Sequence, residues 1–565
     1  MKGDFYLILE RNELRMQSSL QKPNILWISL EDTSPRFGCY GDPLARTPNI
    51  DRLAAEGRLY RNAFAVAGVC SPSRSAIITG MYPTAIGAHH MRTEHVNPYT
   101  PELPTPYAAV PPAYVKAFPE YLRAEGYYCT NNFKTDYQFA SPLTAWDEDG
   151  RDAHWRHRRP GQPFFAVFNH MLTHESAMWG DMIRKHTFPE QAGDVARGTD
   201  PDRVQLPPYI PDTPKSRESL AKYYDLIAEA DAFVGKLLRE LEEDGEAENT
   251  IVFLWSDHGE GLPRAKRWPY DAGIRVPLIV RAPGLVPPGQ VSDELVSLID
   301  LAPTVLSLTG AILPCHLQGQ PFLGEKAKPR ECIFATRDRY DESYDMVRAV
   351  RDKRFKYIRN YYPEKPYLQW IKFSHNHPMF QELWRLELSG QLEGEERLLM
   401  HTRRPAEELY DCDSDPYETR NLAADPRYRE TLERLRGALD EWRAKYDVWG
   451  DVPEAQMTLQ MWPGGKQPKT AAPIFVPINS VCHGITPQNE GVFAEPTAIL
   501  LHSATQGASL AYTTEEGPAP HWRLYTGPIM LRSGSVTIRA KAVRIGYEDS
   551  EETTARFCIA NQNIG

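Results

Sequence analysis

No run of apolar residues in this 565-residue chain is long enough to cross a bilayer, and the mean hydropathy is −0.50, so no membrane partner is expected. There is also no surplus of positive charge. The 64 Lys and Arg are outnumbered by 75 Asp and Glu, giving a net charge of −11. That excludes a broad nucleic-acid surface and requires any anionic substrate to be met by a local basic pocket. The eight cysteines show no short CxxC spacing, which argues against a disulfide framework and for reduced thiols. At the N-terminus the apolar stretch from Phe5 to Leu9 is too short for an export signal, and charges follow at once. Residues 1–22 are therefore read as an extension and the protein as cytoplasmic. No long repeat or low-complexity tract is present.

Hydrophobic residues make up 41% of the chain, enough for a large core, and the length suits two to four units at roughly 100–200 residues each. Pro23–Leu30, Phe164–Asn169, Asn249–Ser256 and Val276–Arg281 are continuous apolar runs of the kind that form strands buried on both faces. Between them, Ser219–Glu243 has a helical apolar period, and Thr47–Gly57 reads as a helix with Thr47 as N-cap, Pro48 in the first turn and Gly57 at the C′ position. Alternating strands and helices imply a parallel α/β sheet over 23–330. Short strand patterns at 333–336 and 355–359 and a helix at Arg427–Tyr446 imply a smaller α+β subdomain over 331–450. Residues 451–485 read as a linker, and the alternating patterns at 508–514 and 535–542 as a β-sandwich over 486–565.

Three places carry chemistry. The first strand ends in Glu31-Asp32 and the third in Asp257-His258, and open α/β sheets bind ligands at the carboxyl ends of their strands. The third place is Val69-Cys-Ser-Pro-Ser-Arg-Ser-Ala-Ile-Ile-Thr-Gly80. Ser71 or Ser73 would cap a helix ending at Gly80, putting Cys70 at its positive end, with Arg74 one turn on. A thiol so placed is either a low-pKa thiolate or a structural cysteine.

The string Cys-x-Pro-Ser-Arg followed by Ser-Ala-Ile-Ile-Thr-Gly resembles the signature of type I sulfatases, in the alkaline phosphatase superfamily. The resemblance runs over about residues 23–445 and implies an alkaline phosphatase-like, mostly parallel sheet sandwiched by helices. It implies that Cys70 is oxidised by a formylglycine-generating or sulfatase-maturating enzyme to 3-oxoalanine (formylglycine), whose hydrated diol attacks sulfur. It assigns Glu31, Asp32, Asp257 and His258, beside Cys70, to a divalent metal. The usual first pair is Asp-Asp, so Glu31 departs from it. Calcium is the family's ion; the imidazole of His258, where many members have Asn, suits manganese or zinc better. Arg74, Lys134, His174 and Lys266 match the residues that grip sulfate. Asp136 stands where the family has His and takes that residue's place as a candidate base. His89, His90 and Arg92 are weaker pocket candidates, and His170 a packing one.

Glu408-Leu-Tyr-Asp411 and Asp415-Pro-Tyr-Glu-Thr-Arg-Asn421 resemble the family's C-terminal subdomain, and the tail resembles the Ig-like repeat related to chitobiase C-terminal domains. The expected reaction is hydrolysis of a small anionic aryl or sugar sulfate. The alternatives are N-sulfoglucosamine cleavage, phosphonate monoester or phosphodiester hydrolysis, and non-catalytic binding of sulfated sugars. Loops 93–118, 142–162 and 175–215 are expected to shape the pocket, with Trp146, Trp155 and Trp179 as ring-stacking candidates outweighed by ordinary packing. A homodimer is the expected assembly.

Overall fold

The computed structural model describes residues 22–95, 98–100, 106–179, 191 and 198–560, so the N-terminal extension and parts of two of the predicted pocket loops lie outside the described residues. The central sheet has eight strands: β1 (Asn24–Leu30), β2 (Arg58–Phe64), β3 (Tyr128–Asn132), β4 (Glu148–Asp149), β5 (Phe164–His170), β6 (Thr250–Ser256), β7 (Arg275–Arg281) and β8 (Gln290–Ser297), in the order β4-β3-β5-β1-β6-β7-β2-β8. All run parallel except β7, which is antiparallel to both β6 and β2. An apolar run carries no sign of its direction, so this reversal is invisible in the sequence.

β1 is buried throughout because each face of the sheet has its own core. Ile25 and Trp27 pack on one side with Phe118, Phe165 and Trp255, while Leu26, Ile28 and Leu30 pack on the other with Leu220, Tyr223 and Ile227. Burying such a side chain contributes about 1.5–3 kcal/mol. The second face is covered by α1 (Pro48–Ala55) and by the 30-residue helix that runs Pro214–Glu243, whose N-cap Thr213 accepts from the Ser216 N–H.

Two helix-end expectations fail. The Thr47 side chain does not cap α1; its hydroxyl accepts from the Gly38 N–H instead. Gly57 is not left-handed, and Glu56 is the C-cap; a Cβ on Gly57 would lie 2.4 Å from the Val280 carbonyl oxygen, so close approach to β7 is what requires glycine there.

Beyond the central sheet, β9 (Ile333–Arg337), β10 (Val347–Arg351), β11 (Phe355–Asn360) and β12 (Glu407–Asp411) form a four-stranded antiparallel sheet, with the helix Arg429–Tyr446 packed on it. The segment read as a linker contains a helix, Glu454–Met461, and a strand, β13 (Ile474–Ile478), that joins the C-terminal sheets. Pro477 is tolerated there because β13 is an edge strand. The C-terminal sheets, of three and five strands, enclose their own core around Phe475, Ile499, Leu501, Ile538 and Phe557. They dock on the α/β part through Lys116, which donates to the Gly507 carbonyl (2.5 Å) and Ser509 (2.8 Å), and through Arg123, which donates to the Trp522 carbonyl (2.7 Å).

Candidate active site

Parallel strands bring their carboxyl ends to one rim. Leu30 pairs with His170 on one side and with Ser256 on the other, so Glu31-Asp32 and Asp257-His258 emerge side by side. All four are fully buried. Cys70 arrives from another direction as the first residue of α2 (Cys70–Thr79). Neither Ser71 nor Ser73 caps α2, contrary to expectation: the N-cap is Val69, without a side-chain bond, and the serines turn inward. The Ser71 hydroxyl donates to Asp136 and that of Ser73 to the Asp257 carbonyl (2.5 Å). Gly80, left-handed at φ 66°, closes the helix as predicted.

The donors converge. The thiol sulfur of Cys70 lies 3.4 Å from His258 Nε2 and 3.8 Å from Glu31 Oε2, and His258 Nε2 lies 3.1 Å from Asp32 Oδ1. Donor atoms of Glu31, Asp32, Cys70 and His174 lie within 4.8 Å of one another, as do those of Cys70, Asp257 and His258. Across these two groups Glu31, Asp32, Asp257 and His258 all border Cys70, and their hard oxygens and imidazole nitrogen are the donors that a divalent cation would take.

Buried carboxylates need compensation, and three cations supply it. Arg74 donates Nε to Asp257 Oδ2 (3.1 Å), Nη1 to Asn169 (3.1 Å), and Nη2 to Ser29 (3.1 Å) and Glu31. Lys134 Nζ reaches Glu31 Oε2 at 2.5 Å, and Lys266 Nζ reaches both oxygens of Asp32 at 2.9 and 2.7 Å. Burial alone would raise the Asp32 pKa, but Lys266, His174 and His258 outweigh it and hold the carboxyl well below its usual range. Burial likewise disfavours an imidazolium at His258, yet Asp257 and Asp32 push its pKa well above the ordinary value. A metal ion would occupy the place of that proton.

His174 and Asp136 complete the surround. His174 Nε2 is 3.2 Å from Lys266 Nζ and Nδ1 is 2.7 Å from the Ser176 hydroxyl. Burial, then Lys266, lowers its pKa to about 4. Asp136 faces Arg92 Nη1 (3.0 Å) and Lys134 Nζ (3.5 Å), which overcome burial and keep it ionised far below the usual carboxylate range. Asp32, Arg92, Asp136 and Arg267 all have left-handed backbones (φ 45°, 62°, 53° and 79°), and such strain clusters at functional sites.

Two residues absent from the sequence reading belong here. Glu175 receives Arg267 at 3.0 and 2.7 Å and lies 3.2 Å from Lys266, and its N–H donates to Asp32 Oδ2 (2.7 Å). The signal was available: Glu175 directly follows His174, and Arg267 directly follows Lys266. Other candidates are elsewhere. His89 and His90 are fully buried with rings 4.2 Å apart, against Arg339 and Arg348, and His170 is buried beside Phe233. Trp146 stacks on Phe165 and Trp155 on Phe164, both within the core; Trp179 alone of the three approaches the site, edge-on to Phe373.

Residues 23–141 and 152–311 match the family described as sulfatase, and 259–377 match the C-terminal part of N-sulphoglucosamine sulphohydrolase. The chain is 41% identical over 561 residues to an ulvan-active sulfatase of Formosa agariphila, spanning 94% of this chain and 91% of that one. It is 29% identical to human N-sulphoglucosamine sulphohydrolase, over 78% of this chain and 94% of that one. A solved 2-O glycosaminoglycan sulfatase superposes with a TM-score of 0.54 at 20% identity, over 76% of this chain and 93% of the other. The chain belongs to the sulfatase family and is a sulfuric ester hydrolase with the alkaline phosphatase-like α/β fold. The family carries a divalent metal and a formylglycine.

Proposed function

We propose that this hydrolase removes ester sulfate from sugars of a sulfated polysaccharide, with Cys70 as the formylglycine precursor and Glu31, Asp32, Asp257 and His258 as ligands of calcium. Manganese is the alternative that the His258 nitrogen favours. The observation that carries the reading is the convergence of the Cys70 sulfur with His258 and Glu31 at the carboxyl rim of the sheet. The substrate class rests on the likeness to the ulvan-active enzyme. When bound, the cation supplies charge neutralisation and Lewis acidity, and formylglycine supplies a hydroxyl nucleophile at neutral pH.

The chain's own groups do the rest. Arg74 fixes Glu31 and Asp257 in place with a bond to each. Lys134 and Lys266 flank the nucleophile and hold sulfate oxygens as charge builds on them. Lys266 remains protonated, because Asp32 and Glu175 outweigh its burial, and its ammonium lies 3.2 Å from His174 Nε2, while His174 Nδ1 accepts from the Ser176 N–H. The proton between Lys266 and His174 is the one offered to the leaving oxygen. Asp136, so firmly ionised, is a feeble base; its role is to position Arg92, Lys134 and Ser71. Cys70 is fully buried, so the maturation enzyme acts before the chain closes over it.

A substrate panel tests this reading: an O-sulfated oligosaccharide, N-sulfoglucosamine, an aryl sulfate and a phosphonate monoester. The largest kcat/KM is expected for the O-sulfated sugar. Turnover confined to N-sulfoglucosamine or to the phosphonate would contradict it.

A further inference from the structure

The segment 370–373 faces two ways. Ile371 packs inward in one apolar cluster with Val69, Cys70, Met91 and Tyr340, so the segment forms part of the wall around the nucleophile. The Trp370 carbonyl is held by the Ser343 hydroxyl (2.5 Å), and Tyr340 bridges to both Ser343 and Met91, next to Arg92. Trp370 and Phe373, on either side, point out: they are 48% and 38% exposed, and Tyr99, edge-on to Trp370 at 5.1 Å, is 51% exposed. Phe373 links this rim to the site, with its ring 6.0 Å from His174 and 4.5 Å from Trp179. Lys372 is exposed, with its ammonium 5.6 Å from the centre of the Tyr99 ring.

Exposed tryptophan and phenylalanine beside His174 and its charged neighbours require an explanation, because exposed aromatic patches cluster at recognition sites. The occupant is set by the charges gathered next to Phe373. A sulfate ester seated between Lys134, Lys266 and His174 must leave the non-reacting part of its molecule toward the rim, where Phe373 adjoins His174. Sugar rings present apolar C–H faces that lie flat on aromatic rings, with polar groups at the edge. Lys372 puts a positive charge at that edge on a chain whose net charge is −11.

We propose that Trp370, Phe373 and Lys372 bind a second, anionic sugar ring of the substrate, adjacent to the ring that carries the ester. This rests on the sulfated-sugar reading above. The aromatic faces take the ring, and the ammonium takes its carboxylate or sulfate. The site accordingly prefers an oligosaccharide over a single sulfated sugar.

The test compares kcat/KM for a tetrasaccharide of a sulfated, uronate-bearing polysaccharide with that for the single sulfated ring bearing the same ester. Trp370→Ala is expected to lower the ratio of the two about tenfold, the usual scale for truncating an aromatic side chain that binding covers. Trp370→Phe is expected to retain most of the ratio. Lys372→Met is expected to lower the ratio less and to flatten the salt dependence of KM for the tetrasaccharide. Equal losses on both substrates would reduce the segment to a wall of the nucleophile and overturn the proposal, as would an unchanged ratio. The wild-type protein reports separately on the underlying reading: hydrolysis of an aryl sulfate with neither sugar turned over would sink the substrate class itself.

Discussion

The buried acids around Cys70 and those around Cys412 differ in what faces them. Asp271, Cys412 and Glu418 bring their donor atoms within 4.8 Å of one another, just as the catalytic donors do. There Lys356 Nζ stands between the acids, 2.5 Å from Asp271 and 2.8 Å from Glu418, and Arg351 adds a contact to Asp271 at 3.1 Å. At the strand rim the cations join other pairs of carboxylates: Lys134 joins Glu31 to Asp136, Lys266 joins Asp32 to Glu175, and Arg74 joins Glu31 to Asp257. The group facing Asp32, Asp257 and Cys70 together is the His258 imidazole, a donor that a cation would take in place of its proton. The difference teaches that close-set acids do not by themselves make a metal site. A tethered ammonium in their midst makes a structural ion pair; an imidazole there leaves the place exchangeable.

The comparison is broken most forcefully at Lys356. Lys356→Met leaves Asp271 and Glu418 buried without their shared counter-charge and is expected to cost about 3–5 kcal/mol of stability, read by denaturant unfolding. Supplying calcium or manganese should not restore it. Restoration by either ion would make the second cluster a latent metal site. Asp257→Asn makes the opposite case. It is expected to deplete bound metal, measured by elemental analysis, and to lower kcat/KM about a hundredfold or more, which corresponds to about 2.7 kcal/mol. Excess metal should recover part of the loss, and an unchanged metal content would remove Asp257 from the ligand set.

The smallest effect concerns Asp136. Its folded pKa lies below the unfolded value, so its ion pairs stabilise the protein above the unfolded pKa, and that contribution is lost as the pH falls through the folded one. Asp136→Asn is therefore expected to cost about 2 kcal/mol at neutral pH, with the gap narrowing below about pH 4. A gap that stays constant in thermal unfolding across that range would show that the charge of Asp136 is not what holds Arg92 and Lys134.

The parts of the site that were legible in the sequence are those written locally. Strands β1, β5 and β6 are buried on both faces and so appear as unbroken apolar runs, and the acids and histidines at their ends stand out against them. The Cys70 segment carries its signature within twelve residues. What was not legible depends on distant partners. Glu175 and Arg267 adjoin His174 and Lys266, but their pairing spans 92 residues, and Glu418 finds its partner in Lys356 of β11. Direction was also hidden, since β7 reads the same whether parallel or antiparallel. The turn-forming composition of 451–485 read as a linker, yet β13 forms there with Pro477 because it lies at a sheet edge. Gly57 looked like a helix stop because the carbonyl of Val280 that it must admit is more than two hundred residues away in sequence.

The central claim is that residue 70 acts as an aldehyde derived from cysteine. Peptide mass spectrometry on protein produced with a maturation enzyme, and shown to hydrolyse a sulfate ester, tests it directly. The account predicts that the peptide spanning Val69 to Arg74 carries the mass change of thiol-to-aldehyde conversion, in a fraction that tracks specific activity across preparations. Full activity in a preparation whose Cys70 is an intact thiol would contradict it.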